Sequence, residues 1–403
     1  MTKEAEASAE KYQGMDEATG SNIRRRDFMR GAVALGASWA ILPRLGRTAS
    51  GAESDGMWLA GDLHCHTVFS GDVWAPGDDN TDLEEAYTFG WTALEQIANA
   101  EVRGLDFLAV TDHDDVRWLA GTFGGYAGPV TLIPGYEHSL RRGHAGCLGV
   151  FERFNIATET DAGALALRDA VRAAGGIFIL NHPFYKGHPT AGADGAPAWG
   201  YSPATVVPDS VEVWNIGWPY RRPVFQQIST SENYLSLPWW DSEFLGRGVR
   251  IPATGGSDNH WRSTFAVQGV GQPTTWVYAR ERTWQAVLDA IVAGRTFVSA
   301  EPPALGGARV FLEARKDAQR WMVGDVVPAS SGEVTVTAHV ESAPGALVRF
   351  VVDGEPGPSV PVAGPDFVHT AIVDASAHTR VRAEVLADEG WWMIALTSPV
   401  YFG

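Results

Sequence analysis

Met57-Trp58-Leu59-Ala60-Gly61-Asp62-Leu63-His64-Cys65-His66 is a short apolar run that ends in two histidines one residue apart. On a strand, residues two apart share a face, so His64 and His66 can chelate one ion while Cys65 points away. Outward from this stretch, four more apolar runs end in groups able to bind metal: Thr111-Asp112-His113, Pro134-Gly135-Tyr136-Glu137, Asn181-His182-Pro183 and Ser257-Asp258-Asn259-His260. Of the 11 histidines, none precedes position 64 and eight lie between 64 and 260. One histidine at a strand end is ordinarily a hydrogen-bonded core or surface residue. Five such motifs in one chain fit a set of parallel strands whose carboxyl ends converge on a rim, where residues distant in sequence line one pocket. Imidazoles and carboxylates gathered there are the ligands that zinc, manganese or iron ions take.

The rest of the chain agrees with this reading. From Met57 to Ser299 short apolar runs alternate with helical patterns, which predicts one large α/β unit of mainly parallel strands. Strands are expected to end at Leu63, Val110, Ile133, Leu180, Val213 and Ala253, with later ones over Trp276–Tyr278 and Thr296–Val298. Helices are expected over Leu83–Val102, Ala162–Ala174 (closed by Gly175-Gly176) and Trp284–Val292 (stopped by Gly294). After Glu301-Pro302-Pro303 the pattern changes to alternating segments such as Val334–Val340 and Val348–Val352, divided by turns like Asp353-Gly354. This predicts a small antiparallel β-sandwich over 305–403, structural in role, behind a unit spanning 57–300.

Length and charge bound the function. A chain of 403 residues holds two or three structural units. Its 31 basic and 48 acidic residues leave a net charge of −17, which argues against a nucleic-acid or anionic-membrane partner. Two cysteines cannot make a disulfide framework, and Cys65 and Cys147 read as reduced packing residues. Residues 1–22 are polar, and Arg24-Arg25-Arg26-Asp27-Phe28-Met29-Arg30 then precedes an apolar stretch from Gly31 to Leu42. That stretch falls short of the ~20 residues a spanning helix needs, and Ser50-Gly51-Ala52 offers small residues for cleavage. Residues 1–52 therefore read as a twin-arginine export signal, which would place the mature chain in the periplasm or outside the cell with no stable membrane anchor. The export machinery would be one of its partners. No Gly-Lys-Ser/Thr phosphate loop, strand-linked G-x-G-x-x-G, Gly-x-Ser-x-Gly elbow or His-Glu-x-x-His pair occurs, so nucleotide phosphoryl transfer, hydride transfer and serine hydrolysis lack their usual apparatus.

Asp62-Leu63-His64-Cys65-His66-Thr67 with Ser70, Thr111-Asp112-His113, Gly135-Tyr136-Glu137, Gly143-His144, Asn181-His182-Pro183, Ser257-Asp258-Asn259-His260 and the closing Ser398-Pro399-Val400-Tyr401 together resemble the PHP (polymerase and histidinol phosphatase) superfamily. Within it the chain is most similar to the CehA/McbA-like metallohydrolases. The resemblance implies a distorted (β/α)7 barrel with two or three divalent ions (Zn, Mn or Fe) at its rim. It implies one ion on His64, His66, Glu137 and Asp258, and a second on a bridging Glu137 with His144 and His182. A third would take His113, His260 and Asp72, which stands where the family often has histidine. Glu137, Asp258 and His260 are the catalytic residues so implied.

The implied activity is hydrolysis by metal-activated water, of phosphomonoesters or phosphodiesters first and of carbamate or amide-type esters second. A non-catalytic ligand-binding protein of the cell envelope is the alternative from another class. Asp112 is expected to orient a ligand by hydrogen bonding rather than to bind metal, and His138 to point off the ligand face. Arg141, Arg142, Lys186 and His188 read mainly as loop charges, one of which an anionic substrate would need. Trp214, Trp218, Trp239, Trp240 and Trp261 read mainly as packing, and Tyr185–Pro208 as a possible lid.

Overall fold

In the computed structural model, the residues described are 56–70, 90–140, 142–184, 199–216, 220–221, 233–260, 262, 269–387 and 392–403. The expected export signal, Asp72, Arg141, Lys186, His188, Trp218, Trp261 and residues 185–198 of the expected lid lie outside them. None of the described helices is long and apolar enough to cross a membrane.

Ahead of Pro302 the strands are β1 (Met57–Cys65), β2 (Phe107–Val110), β3 (Thr131–Ile133), β4 (Gly135–Leu140), β5 (Gly143–Leu148), β6 (Ile177–Asn181), β7 (Ser210–Asn215), β8 (Tyr220–Arg221), β9 (Ala253–Gly256), β10 (Thr274–Ala279) and β11 (Thr296–Ser299). Four α-helices are described: α1 (Ala93–Val102), α2 (Asp161–Ala173), α3 (Asn233–Glu243) and α4 (Trp284–Val292). The protein is thus mixed α/β, rich in strands and poor in helices.

One sheet runs β4-β5-β6-β7-β9, and β10-β1-β2-β3 forms part of a larger one. Leu59, Leu63, Ala109 and Ile133 of the larger sheet share a buried core with Leu148, Ile177 and Ile179 of the smaller, and Leu288 and Ile291 of α4 pack into it. Where strands carry the candidate ligands, the sheets are stitched by two isolated bridges, Cys65 with Asn259 and His113 with Glu137. Among the described residues no continuous ladder closes them into a barrel.

The expectation of mainly parallel strands holds for β1-β2-β3 and β6-β7-β9 only. β1-β10, β10-β11, β4-β5 and β5-β6 are antiparallel. For β4-β5 the tight hairpin is the reason: its last pair is Leu140 with Gly143, and Gly143 sits at φ 130°, where a Cβ would also lie 2.6 Å from Trp199. A turn this tight leaves no room for a crossover helix, so β5 must return antiparallel.

Helix boundaries follow their caps. α1 starts at Ala93, because extended Thr92 caps it in a reciprocal box with Glu95, and residues 83–89 of the helix expected from Leu83 lie outside the described residues. Thr160 and Thr283 cap α2 and α4, and Gly175 and Gly294, at φ 85° and 77°, follow their ends as the sequence predicts. α3, which is not among the helices expected from the sequence, carries Pro238 inside it. Strand β9 begins at Ala253, where it was expected to end, and runs on through Gly255 and Gly256.

Beyond Pro302, β12 (Arg309–Lys316), β13 (Gln319–Met322), β14 (Val326–Val327), β15 (Glu333–Glu341), β16 (Leu347–Val352), β17 (Glu355–Pro356), β18 (Val360–Pro361), β19 (Asp366–Asp374), β20 (Arg380–Ala387), β21 (Trp392–Thr397) and β22 (Val400–Phe402) follow. An antiparallel sheet β13-β12-β15-β19 shares its core, including Val310, Leu312, Val336 and Val340, with Val348, Val381, Ala383 and Val385 of the other strands. Those other strands extend the larger sheet: β21 pairs antiparallel with β11, and Ser398 Oγ meets Thr296 Oγ1 at 2.7 Å and accepts from Ala253 N at 3.0 Å. The carboxyl-terminal segment is therefore hydrogen-bonded directly to β9 and β11.

Candidate metal centre

The end of β1 turns His64 and His66 to one side, their Nε2 atoms 3.0 Å apart, and sends the Cys65 thiol the other way towards Ala109 O. Glu137 of β4 lies beneath them without exposed surface; its Oε1 is 3.4 Å from His64 Nε2, and its Oε2 is 2.9 Å from His113 Nδ1. β5 brings His144 Nδ1 to 3.4 Å from Glu137 Oε1, and the end of β6 brings His182 Nε2 to 3.0 Å from the same oxygen. Past β9, Asp258 Oδ1 lies 3.1 Å from His66 Nε2 and 3.5 Å from His64 Nε2. The His260 ring stacks on His66 at 3.8 Å and sets its Nδ1 2.8 Å from Asp258 O. Four strand ends and one hairpin thus deliver six imidazoles and two carboxylates to one place.

Four overlapping trios have donor atoms within 4.8 Å of one another: His64-His66-Glu137, His64-His182-Asp258, His113-Glu137-His144 and His66-His113-His260. The first falls within the first ion implied by the resemblance, and Glu137 Oε1 lies 3.4 Å from His144 and 3.0 Å from His182, the donors implied for the second. His144 groups with His113, and His182 with His64 and Asp258. Glu137 faces His64, His144 and His182 with Oε1 and His113 and His66 with Oε2, as a bridging carboxylate would.

The electrostatics suit a cation. Burial pushes the Glu137 carboxyl up, but His64, His144 and His113 outweigh it and hold that carboxyl well below the usual range. Asp258 is held down likewise, against its burial, by His64, His66 and His260. Burial, reinforced by His260 and His113, lowers His66 to about 3, which keeps its ring neutral and its lone pair available. Burial opposes charge on His64, yet Glu137, Asp258 and Glu212 raise its pKa well above the usual value. The carboxylates draw positive charge to the point where the Nε2 atoms converge. Imidazole nitrogens and carboxylate oxygens so arranged fit divalent zinc, manganese or iron. His113 and His144, each 17% exposed in the side chain, mark the open side, since His64, His66, His182, Asp258 and His260 are exposed by 9% or less.

Around these donors lies a supporting layer. Asp112 accepts from Thr67 N at 2.6 Å, Thr67 Oγ1 at 2.7 Å and Ser70 Oγ at 3.0 Å, while Ser70 Oγ sits 2.7 Å from His66 Nδ1 and accepts from His113 N. Burial raises Asp112 to about 6 against these hydrogen bonds. Its route to the ligands is through the Ser70 hydroxyl. His138 leaves the ligand face, its Nδ1 3.0 Å from Asp114. Arg142 is tied to Asp161 at 3.1 Å and to Gly200 O, and it lies over the Tyr201 ring. Trp214 and Trp240 are core residues, and Trp239 packs on Phe184 and Phe244. Trp199 and Tyr201, from the stretch read as a lid, are buried in the same core.

Sequence reasoning missed Glu212, which meets His64 Nδ1 at 3.0 Å, and Asn215, whose Nδ2 is 3.2 Å from Asp258 Oδ2. The one available signal was a carboxylate inside the apolar run Val211–Trp214. Asn181, noted only as part of its motif, donates to Glu137 Oε1 at 2.8 Å.

Fold and site together define a mixed α/β protein with a buried His/Glu/Asp cluster able to hold metal. No family model matches the chain, and no curated protein sequence does. Among solved structures, a two-domain protein from Bacteroides vulgatus, described as containing a predicted PHP-like metal-dependent phosphoesterase, is similar over 89% of this chain and 100% of its own. The identity is 14% and the TM-score 0.43, so the function of this chain rests on its own residues.

Proposed function

We propose that the chain is a metal-dependent hydrolase of the PHP superfamily, of the CehA/McbA-like branch, that it cleaves phosphomonoesters or phosphodiesters, and that it is exported by the twin-arginine route. The observation that carries the reading is the convergence of His64, His66, His113, His144, His182, His260, Glu137 and Asp258, from segments up to about 200 residues apart, with donor atoms within 4.8 Å in trios. Divalent ions held there would polarise the ester and supply water acidified towards neutral pH. The protein's part is to keep Glu137 and Asp258 ionised in a buried setting, to keep His66 neutral, and to leave the His113 and His144 side open to substrate. A protein nucleophile is not needed. Substrate charge is compatible with the acidic chain, because the local field at such a site is set by its cations.

The test is metal analysis of the purified mature chain followed by release assays on p-nitrophenyl phosphate, bis-p-nitrophenyl phosphate and a naphthyl carbamate. Stoichiometric zinc, manganese or iron with turnover of a phosphate ester, lost in folded His182→Ala, is the expected result. Metal-free protein, or turnover that survives in metal-depleted His182→Ala, overturns the proposal, and turnover of the carbamate alone overturns the substrate class.

A further inference from the structure

Strand β7 supplies none of the eight donors, yet it lies between β6 and β9, which supply three of them. Its one carboxylate, Glu212, is 2% exposed and has all its described partners inside the site. Glu212 Oε1 faces His64 Nδ1 at 3.0 Å, and Glu212 Oε2 accepts from the His182 backbone N–H at 2.8 Å. Asn215 Nδ2 donates to the same Oε2 at 3.1 Å and to Asp258 Oδ2 at 3.2 Å. One carboxylate therefore ties together a ring from β1 and a backbone turn after β6, and through Asn215 it reaches the carboxylate after β9.

Two features of the backbone make this contact possible. The register of β7 against β9 shifts between Glu212 and Trp214, so that Val213 is an extra residue. In an unbroken strand, residues three apart face opposite ways. The bulge brings Glu212 and Asn215 to the same side, as bulges beside functional sites do. Opposite them, Gly256 leaves the space that the pair needs, because a Cβ there would lie 2.5 Å from Glu212 Oε1 and 2.4 Å from His64 Cβ.

We propose that Glu212 is the positioning residue of this centre: it holds the His64 ring with hydrogen on Nδ1 and the Nε2 lone pair aimed at the other donors, and it anchors His182. This rests on the metal-dependent reading above. A carboxylate behind an imidazole sets the tautomer and orientation of the ring and raises its strength as a ligand. His182 needs an anchor of its own, because it is not glycine and yet sits at φ 23°. With its backbone N–H bonded to Glu212, the turn that points His182 Nε2 at Glu137 is held in place. Glu212 does not touch the reacting atoms and acts through His64 and His182.

The experiment compares full-length wild type with Glu212→Gln, Glu212→Ala and, as a control on the same strand, Ser210→Ala, whose hydroxyl meets Thr254 rather than the site. Each protein is stripped and titrated with Zn²⁺ against a chelator of known affinity. It is then loaded with Co²⁺, and its visible absorption is recorded. The expected result is roughly 10- to 100-fold weaker Zn²⁺ binding for Glu212→Ala. A smaller loss is expected for Glu212→Gln, whose single carbonyl oxygen can serve His64 or His182 but not both, and Ser210→Ala should match wild type. The Co²⁺ bands should shift in both Glu212 variants. If Glu212→Ala does not fold, the nearly isosteric Glu212→Gln decides. Wild-type affinity and an unshifted spectrum in folded Glu212→Gln overturn the assignment while leaving the metal centre standing. Failure of wild type itself to take up Zn²⁺ or Co²⁺ overturns both readings.

Discussion

Gly256→Ala is the smallest change that tests how closely the strands beneath the cluster are packed. Gly256 ends β9 with no unusual φ, so alanine is allowed by the backbone and only its added methyl matters. That methyl would sit 2.4 Å from His64 Cβ, 2.5 Å from Glu212 Oε1 and 3.3 Å from His64 N, where ordinary contact begins at 3.4 Å. About 1 Å must therefore be found. His64 Cβ is fixed to the β1 backbone, so relief requires β1 or β9 to move as a strand. Overpacking of this kind costs about 1–3 kcal/mol of stability. The displacement also exceeds the ~0.2 Å tolerance of a metal–ligand bond several-fold. Gly255→Ala is the matched control, since its methyl would meet Val298 Cγ1 at 2.8 Å and Pro273 Cγ at 2.9 Å, away from the cluster. Urea unfolding of the stripped proteins should show both variants destabilised, whereas chelator competition should show zinc affinity falling about tenfold or more only in Gly256→Ala. Wild-type zinc affinity in folded Gly256→Ala, or equal losses in the two variants, would refute the reasoning.

Removing Glu137, whose two oxygens face His64, His66, His113, His144 and His182, should lower bound metal and activity more than removing His113; comparable losses in Glu137→Gln and His113→Ala would argue against a bridging carboxylate. Glu384→Gln should cost about 1.5–3 kcal/mol near pH 7, because it removes the charge facing Arg382 and Arg349, at 2.9 and 2.6 Å, while Arg382 keeps Asp241 at 2.7 Å. Burial pushes the Glu384 carboxyl up, but the two guanidiniums hold it below its ordinary value. Its contribution is thus present above the unfolded pKa of ~4.3 and lost as pH falls through the lower folded value. Urea midpoints should accordingly fall less steeply below about pH 5 in Glu384→Gln than in wild type, and parallel curves would contradict this. Changing Arg25 and Arg26 to Lys should trap the precursor in the cytoplasm, and undiminished export would point to the other secretory route. Ending the chain at residue 303 strips β11 of its β21 partner and leaves the Ala253 N–H without Ser398. The product should be insoluble, and a soluble, metal-binding fragment would show that the pairing is dispensable.

Local chemistry made most of the donors legible in advance. Alternation along a strand sets His64 and His66 on one face whatever surrounds them, and the apolar runs ending near Val110, Ile133 and Leu180 mark strands because burial of both faces demands such runs. Helix α4 was readable from its periodicity and the Gly294 stop, both properties of neighbouring residues. The start of α1 at Ala93 was not read, because the apolar pattern runs on past the Thr92 cap, and the Gly-rich stretch of β9 does not resemble a strand until β7 and β1 are seen closing on it. What could not be read is what depends on partners far along the chain. Glu212 is only a misplaced charge in an apolar run until His64, 148 residues away, presents its Nδ1. The antiparallel return of β5 and the pairing of β21 with β11 have the same origin. Periodicity decides which way a side chain points from its own strand, but which strands lie side by side follows from the packing of all their faces at once, and only the tertiary structure contains that.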